Sequence, residues 1–462
     1  MDVEMLSRIQ FAFTIMFHYI FPPFSIGMGL LLVIFEASYL ITKNKIYETI
    51  TRFWIKIFAA NFAVGVASGI VMEFEFGTNW ASYSRFVGDV FGSPLAAEGI
   101  FAFFLESGFL AILLFGWGRV KPWVHMVSTV LVSIGSIMSA FWIVVANSWQ
   151  QTPVAYELVT TNGFTRAEIV DFWGMVFNPS AMVRFTHSVN GAFIQGSFLV
   201  ISVAAYFLIK KRHIEFAKKS IATALIVATI ASVAQLFIGH WHAQVVAEYQ
   251  PTKLAAFEGQ YETTDNASLA IIGYTNEDKQ ETVALQIPGM LSWLIYGDVN
   301  GVVTGLNDFP QDEWPPVAIV FQTYHIMVGL GMFFIAFTLF SSFLLIRNKL
   351  FQAKWVLRIM VISVILPVIA NQFGWVSAEV GRQPWVVYGL MKTSEGISKS
   401  VTAPEVWTSL ILFFIVYTLL FFVWLYVLDR EIKHGPDKPD ENDLVYKVKG
   451  ERVNSIKKME GE

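Results

Sequence analysis

Between Gly374 and Trp385 the chain reads Gly-Trp-Val-Ser-Ala-Glu-Val-Gly-Arg-Gln-Pro-Trp, placing an acid and then a base on the last turns of an apolar run. A charged side chain at membrane depth costs roughly 2.5–3.5 kcal/mol on insertion scales, so such groups pair, face a cavity and mark functional pathways. On a helix, Trp375 and Glu379 are four apart and share a face, with Arg382 a turn further on. A carboxylate there can ligate ferric iron or accept protons, and a guanidinium can neutralise it. A plain Glu379–Arg382 ion pair would use the same residues.

Two more acids, Glu98 and Glu106, lie eight residues apart in another apolar run. At 3.6 residues per turn they differ by about 80° and about 12 Å along the axis, so they line broadly one side and suit a proton relay. Of the eight histidines, His18 and His187 sit within or at the edge of apolar runs. Each suits either a hydrogen-bonded structural role or axial ligation of haem iron. His325 and Met327, two residues apart, point about 200° away from each other and cannot both face one iron. Met327 reads either as a thioether ligand or as packing. His213 and His434 lie in basic stretches and read as surface residues, whereas His125 fits more than one role.

The elements that must position these groups are membrane helices. The 462 residues are 55% hydrophobic and only 15% charged, with mean hydropathy +0.54, too apolar for a soluble domain of this size. A net charge of -4 offers no basic footprint for nucleic acid. The absence of cysteine excludes disulfides, iron–sulfur clusters and c-type haem attachment, leaving His, Met and carboxylates for any metal centre. Apolar runs predict an all-α, polytopic membrane protein with nine transmembrane helices, near 12–38, 54–74, 94–117, 123–146, 186–209, 220–239, 316–346, 356–380 and 406–428. The acidic start, Met1-Asp2-Val3-Glu4, is unlike a signal peptide, so the first run is expected to stay as a span. Basic residues cluster at Lys43–Arg52, Arg119–Lys121, Lys210–Lys219 and Arg347–Arg358, and the positive-inside rule makes these loops cytoplasmic. The N-terminus is then outside and the C-terminus cytoplasmic. Residues 1–430 read as the membrane unit, 240–315 as an extracytoplasmic functional loop within it, and 431–462 as a charged cytoplasmic tail. No internal repeat supports a transporter built of inverted halves.

Taken together, several motifs resemble subunit I of the cytochrome bd-type quinol oxidases. They are Ser7-Arg8-Ile9-Gln10-Phe11 leading to His18, Met72-Glu73-Phe74 with Phe76–Trp80, Glu98 with Glu106, Asn178-Pro179 leading to His187, and Gly374–Trp385. The resemblance implies a prokaryotic plasma-membrane enzyme that oxidises quinol at the outer face and reduces dioxygen to water with cytoplasmic protons. It implies three haems: a low-spin haem b on His187 and Met327, and two high-spin haems, one on His18 and one on Glu379. These last two are a haem b and a haem d, or a further haem b in its place. Trp375 would lie between haems, Arg382 near propionates or Glu379, and Glu98 with Glu106 would handle protons. Gln250–Glu258 resembles the quinol-binding segment, with Lys253 and Glu258 as contacts. A second hydrophobic subunit II is implied, and a small single-helix subunit would complete the complex. The short 240–315 loop and Gly239-His240-Trp241-His242 resemble the cyanide-insensitive branch. His325 stands where the long-loop branch has Arg, so that residue's propionate role does not carry over, and Glu75 replaces a neutral residue of some relatives. The competing reading is a quinone-linked cytochrome b that only passes electrons, or a non-oxidase homologue.

Overall fold

Helix boundaries follow from capping chemistry as much as from hydropathy. The Asp2 carboxylate accepts from the Met5 amide at 2.8 Å and opens Val3–His18, Asn44 caps Lys45–Thr78, and Thr402 with Glu405 forms a capping box ahead of Ala403–His434. The computed structural model describes residues 2–437. Among them, eight helical stretches are long and apolar enough to cross a bilayer: Val3–Thr42, Lys45–Thr78, Gly88–Phe115, Pro122–Gln151, Ala181–Ile209, Ile214–Tyr249, Val317–Ile346 and Ala403–His434. The pair Lys354–Ile362 and Ile365–Val380, bent by 40°, brings the number to nine. Each expected span overlaps one of these. The helices run longer than hydropathy suggested because their ends continue as polar turns, which a search for apolar runs ignores. Helix Ala403–His434 enters the expected tail, and that tail from 438 onward lies outside the described residues.

Two breaks matter. Pro22 and Pro23 lack the amides that would continue a helix through Tyr19 and Ile20. At that break the Ile20 carbonyl accepts from Gln195 at 3.1 Å and the Phe21 carbonyl from Asn61 at 2.8 Å. Pro367 likewise leaves the Ser363 carbonyl without its helical partner and accounts for the bend at Ser363–Val364.

The bundle packs through small residues. A Cβ at Gly27 would lie 2.2 Å from the Ala192 carbonyl oxygen, and one at Gly196 2.5 Å from the Gly27 carbonyl carbon, so Phe21–Thr42 and Ala181–Ile209 touch backbone to backbone. At one end of the bundle His125 bonds Glu36 through Nδ1 at 2.7 Å and the Leu113 carbonyl through Nε2 at 3.1 Å, while Thr129 donates to Glu36 at 2.5 Å. That buried knot ties three helices and gives His125 a structural place. The basic loops gather at this same end: Arg52 lies over Trp117, Lys219 over Tyr47 and Lys218 over Phe351.

The opposite end carries the 240–315 segment, which is folded. Helix Ile214–Tyr249 runs into it, then come helix Pro251–Glu258, a hairpin of Leu269–Asn276 with Glu281–Ile287, and the short helix Met290–Tyr296. Gly259 ends the Pro251–Glu258 helix in the left-handed region, at φ 62°. Two further hairpins, Tyr156–Thr161 with Phe164–Ile169 and Trp385–Val387 with Met391–Lys392, are the other strands among the described residues.

Because both backbones meet at Gly27 and Gly196, Gly196→Val is expected to prevent stable assembly, lowering yield and midpoint temperature of the detergent-purified protein. A wild-type melting curve for that variant would refute the contact.

Candidate functional site

Glu379 ends up among cations. Its Oε2 accepts from Arg382 at 2.6 Å, and its Oε1 accepts from Asn147 at 3.1 Å and Gln151 at 3.2 Å, with Arg184 at 3.7 Å. Arg382 also donates to Gln150 Oε1 at 3.1 Å, and Arg184 to Asn147 Oδ1 at 2.5 Å. The network continues to the 250–258 segment. Lys253 Nζ donates to Gln151 Oε1 and, at 2.7 Å, to Gln250 Oε1, while Gln250 donates to Gln151 at 2.9 Å. Lys253 is 2% exposed, and a Cβ at Gly381 would sit 3.1 Å from its Cγ. Burial, then the charges of Arg184 and Arg382, holds the Lys253 ammonium well below the usual lysine range.

The helix Ile365–Val380 lies between two of the expected haem ligands. Asn371 donates to Gln195 at 2.7 Å and lies 3.0 Å from a Cβ built on Gly191, one turn from His187. One turn beyond Asn371, a Cβ on Gly374 would meet the Met327 sulfur at 2.8 Å. His187 and Met327 thus flank the same short stretch of helix. His187 packs against the His242 ring at 5.1 Å, and its Nδ1 is buried without a protein partner. At the Tyr19 break, His18 Nδ1 meets Ser68 at 3.0 Å, and Gly69 leaves room for the ring, since a Cβ there would lie 3.1 Å from it. That bond orients the imidazole and leaves Nε2 for a metal. Trp375 meets Tyr19 edge-on, ring centroids 5.2 Å apart, so the Gly374–Trp385 motif reaches the neighbourhood of His18.

Glu98 and Glu106 both face helix Pro122–Gln151, as their spacing predicted. Ser139 donates to Glu98 at 2.7 Å, and a Cβ on Gly135 would be 2.7 Å from Glu106 Cγ. A π-helical stretch, Glu98–Phe103, separates the acids, a distortion that often marks functional sites. Ser139 and Asn147 are eight residues apart, about 12 Å along the axis, so these acids do not touch the Glu379 network but share its supporting helix.

Glu258 is 3% exposed. Its Oε2 accepts from the Ala270 amide at 3.3 Å, and its Oε1 is buried without a protein partner. Burial pushes its carboxyl up to about 8 against the opposing effect of the Ala270 amide and the nearby Tyr324 hydroxyl. Phe257 stacks on Tyr324 with ring centroids 4.5 Å apart. Lys253 and Glu258, grouped by the sequence as two contacts of one ligand, therefore occupy different surroundings: Lys253 joins the Glu379 network and Glu258 faces the Ala270 hairpin.

Sequence reasoning missed Arg184, Asn147, Gln150, Gln151 and the packing of His242 on His187. The signal was present in the polar residues that recur on the otherwise apolar Pro122–Gln151 helix and in an arginine three residues before His187.

These residues fit haem. Arg184 and Arg382 flank one carboxylate, a surplus of buried positive charge that carboxylate-bearing macrocycles would balance. His187 offers an unpartnered buried nitrogen, and Gly69, Gly239 and Gly374 lie beside His18, His187 and Met327.

Residues 6–436 match the family described as cytochrome bd terminal oxidase subunit I, and the chain belongs to that family. It is 40% identical over 455 residues to a cytochrome bd ubiquinol oxidase subunit 1 of Bacillus subtilis, covering 96% of each chain. It is 33% identical over 504 residues to a cytochrome bd-II ubiquinol oxidase subunit 1 of Escherichia coli, covering 94% of this chain and 97% of the relative. The bd oxidase structure from Geobacillus thermodenitrificans matches with a TM-score of 0.88 at 33% identity, over 94% of this chain and 99% of that one. Family membership implies haem cofactors, a partner subunit II and a membrane location.

Removing Arg184 should alter the electrostatics around Glu379. Arg184→Leu is expected to lower the midpoint potential of a haem signal by about 60 mV, the shift of one decade for a one-electron couple. Redox titration of the purified oxidase checks this, and an unshifted potential would count against the assignment.

Proposed function

We propose that this chain is the haem-bearing subunit of a quinol:oxygen oxidoreductase: two quinols give four electrons and release protons, and dioxygen takes up four electrons and four protons to yield two waters. The observation that carries the reading is the buried hydrogen-bonded path from Lys253 through Gln151 to Glu379 and Arg382. It joins the segment resembling a quinol site to the charged cluster at the end of the ligand-flanked helix. His187 and Met327 would hold a low-spin haem b, and His18 and Glu379 two high-spin haems, a haem b with either haem d or a further haem b. When bound, the haems supply one-electron transfer and an open coordination position for dioxygen.

The protein's own groups divide the remaining work. Arg382 and Arg184 fix the Glu379 carboxylate and would receive propionates, while Trp375 packs beside Tyr19. Glu258, whose Oε1 has no protein partner, would accept a quinol hydroxyl proton as electrons leave, which is general-base chemistry. Glu98 and Glu106, held by Ser139 and against Gly135, would carry protons from the other side.

Gathering of the basic loops at one end supports a cytoplasmic location for that end, with the N-terminus and the 240–315 loop outside and the C-terminus inside. The membrane is then the prokaryotic plasma membrane. Subunit II, with a small single-helix subunit, would cover the outward face of the helix carrying Glu98.

A reduced-minus-oxidised spectrum with carbon monoxide, run beside quinol-driven oxygen uptake, tests the whole reading. Lack of a CO-binding haem would reduce the protein to an electron carrier, and lack of any haem absorbance would remove the oxidase. Met327→Leu should abolish the low-spin signal and quinol oxidation, and an unchanged spectrum would refute that ligand. The raised Glu258 carboxyl gives a pH signature. Protonated below about 8, it cannot act as a base there, so quinol oxidation should rise with pH through about 8. Glu258→Gln should flatten that limb and slow quinol oxidation roughly 100-fold, leaving oxidation of an artificial donor intact. A limb that survives in the variant would exclude Glu258 as the base.

A further inference from the structure

His325 has no counterpart role to inherit, and its surroundings supply one. Its Nδ1 faces the Phe321 carbonyl at 2.8 Å, and its Nε2 faces the Ala270 carbonyl at 3.1 Å. Phe321 lies one turn back on the same helix and its ring packs 4.0 Å from the imidazole, so the ring is held from its own helix. Ala270 belongs to the hairpin of the outer loop, where it pairs with Gln286 beside the register shift between Ala270 and Ile272. The amide of that same residue donates to Glu258 Oε2. With the imidazole proton on Nε2, one residue's backbone is held by its carbonyl to His325 and by its amide to Glu258. Gln322, on the same helix, donates to the Gly273 carbonyl at 2.9 Å and adds a second attachment.

We propose that His325 is a positioning residue for quinol oxidation: by holding the Ala270 carbonyl it docks the Leu269–Asn276 hairpin so that the Ala270 amide fixes Glu258, leaving Oε1 free for the quinol hydroxyl. This rests on the reading of Glu258 as a quinol contact. Because Met327 follows on the same helix, the clamp also ties the outer loop to the helix bearing the thioether.

The test uses the purified whole oxidase carrying His325→Ala, His325→Gln or Glu258→Ala. His325→Ala should speed hydrogen–deuterium exchange across residues 269–276 at least tenfold. It should also cut kcat/KM for a short-chain quinol about tenfold, while leaving the low-spin haem spectrum and artificial-donor oxidation unchanged. His325→Gln, whose amide can still donate to Ala270, should recover most of both. If His325→Ala changes neither exchange nor quinol kinetics while Glu258→Ala impairs the latter, the clamp is wrong and the Glu258 reading stands. If Glu258→Ala leaves quinol kinetics untouched, the Glu258 reading falls and takes the clamp's role with it. Loss of the low-spin spectrum in His325→Ala would overturn the proposal by placing His325 in the support of Met327.

Discussion

A single carboxylate shared between two guanidiniums sets the terms for the rest of this protein. Burying a charge without partners costs several kcal/mol, and removing one member of a buried pair typically costs about 3–5 kcal/mol. Glu379 and Arg382, three residues apart, therefore have to meet Arg184, which comes from a helix far away in sequence. The bend at Ser363–Val364, the glycine at 381 and the buried face of helix Pro251–Glu258 are the backbone solutions that let them meet. Lys253 adds a further buried nitrogen, satisfied by amide oxygens of Gln151 and Gln250 rather than by a carboxylate.

Much of the architecture was legible because hydrocarbon is a severe solvent. It admits few uncompensated charges and no unpaired backbone, so apolar runs and isolated acids stand out. The nine spans, the shared face of Glu98 and Glu106 and the Glu379–Arg382 pair were all read from that contrast. The breaks at Pro22, Pro23 and Pro367 and the helical turns beyond each apolar run were passed over, because the runs 12–38 and 356–380 read as continuous in hydropathy alone.

What sequence could not supply was the company each polar residue keeps. Asn147, Gln150 and Gln151 look ordinary near the end of a span, and only the fold turns them toward Glu379, Arg382 and Lys253. The amide side chains carry no formal charge, so insertion arguments pass over them. Lys253 and Glu258 illustrate the same point: five residues apart on one short helix, they meet different neighbours, Gln151 and Gln250 in one case and the Ala270 amide in the other. His125 resolves in a third way, its fit being settled by Glu36 and the Leu113 carbonyl.

Helix Pro122–Gln151 acts as a ruler for the whole molecule. Along one rod it meets Glu36 through His125 and Thr129, Glu106 at Gly135, Glu98 at Ser139, Glu379 at Asn147 and Lys253 at Gln151. Inserting or deleting one residue within it would turn every later station by about 100° and shift it by about 1.5 Å. Such a change would scramble several polar sites together, whereas single substitutions could retune them one by one. Length in this segment is therefore the property least free to drift, and variation has room mainly in the identity of the side chains mounted on it.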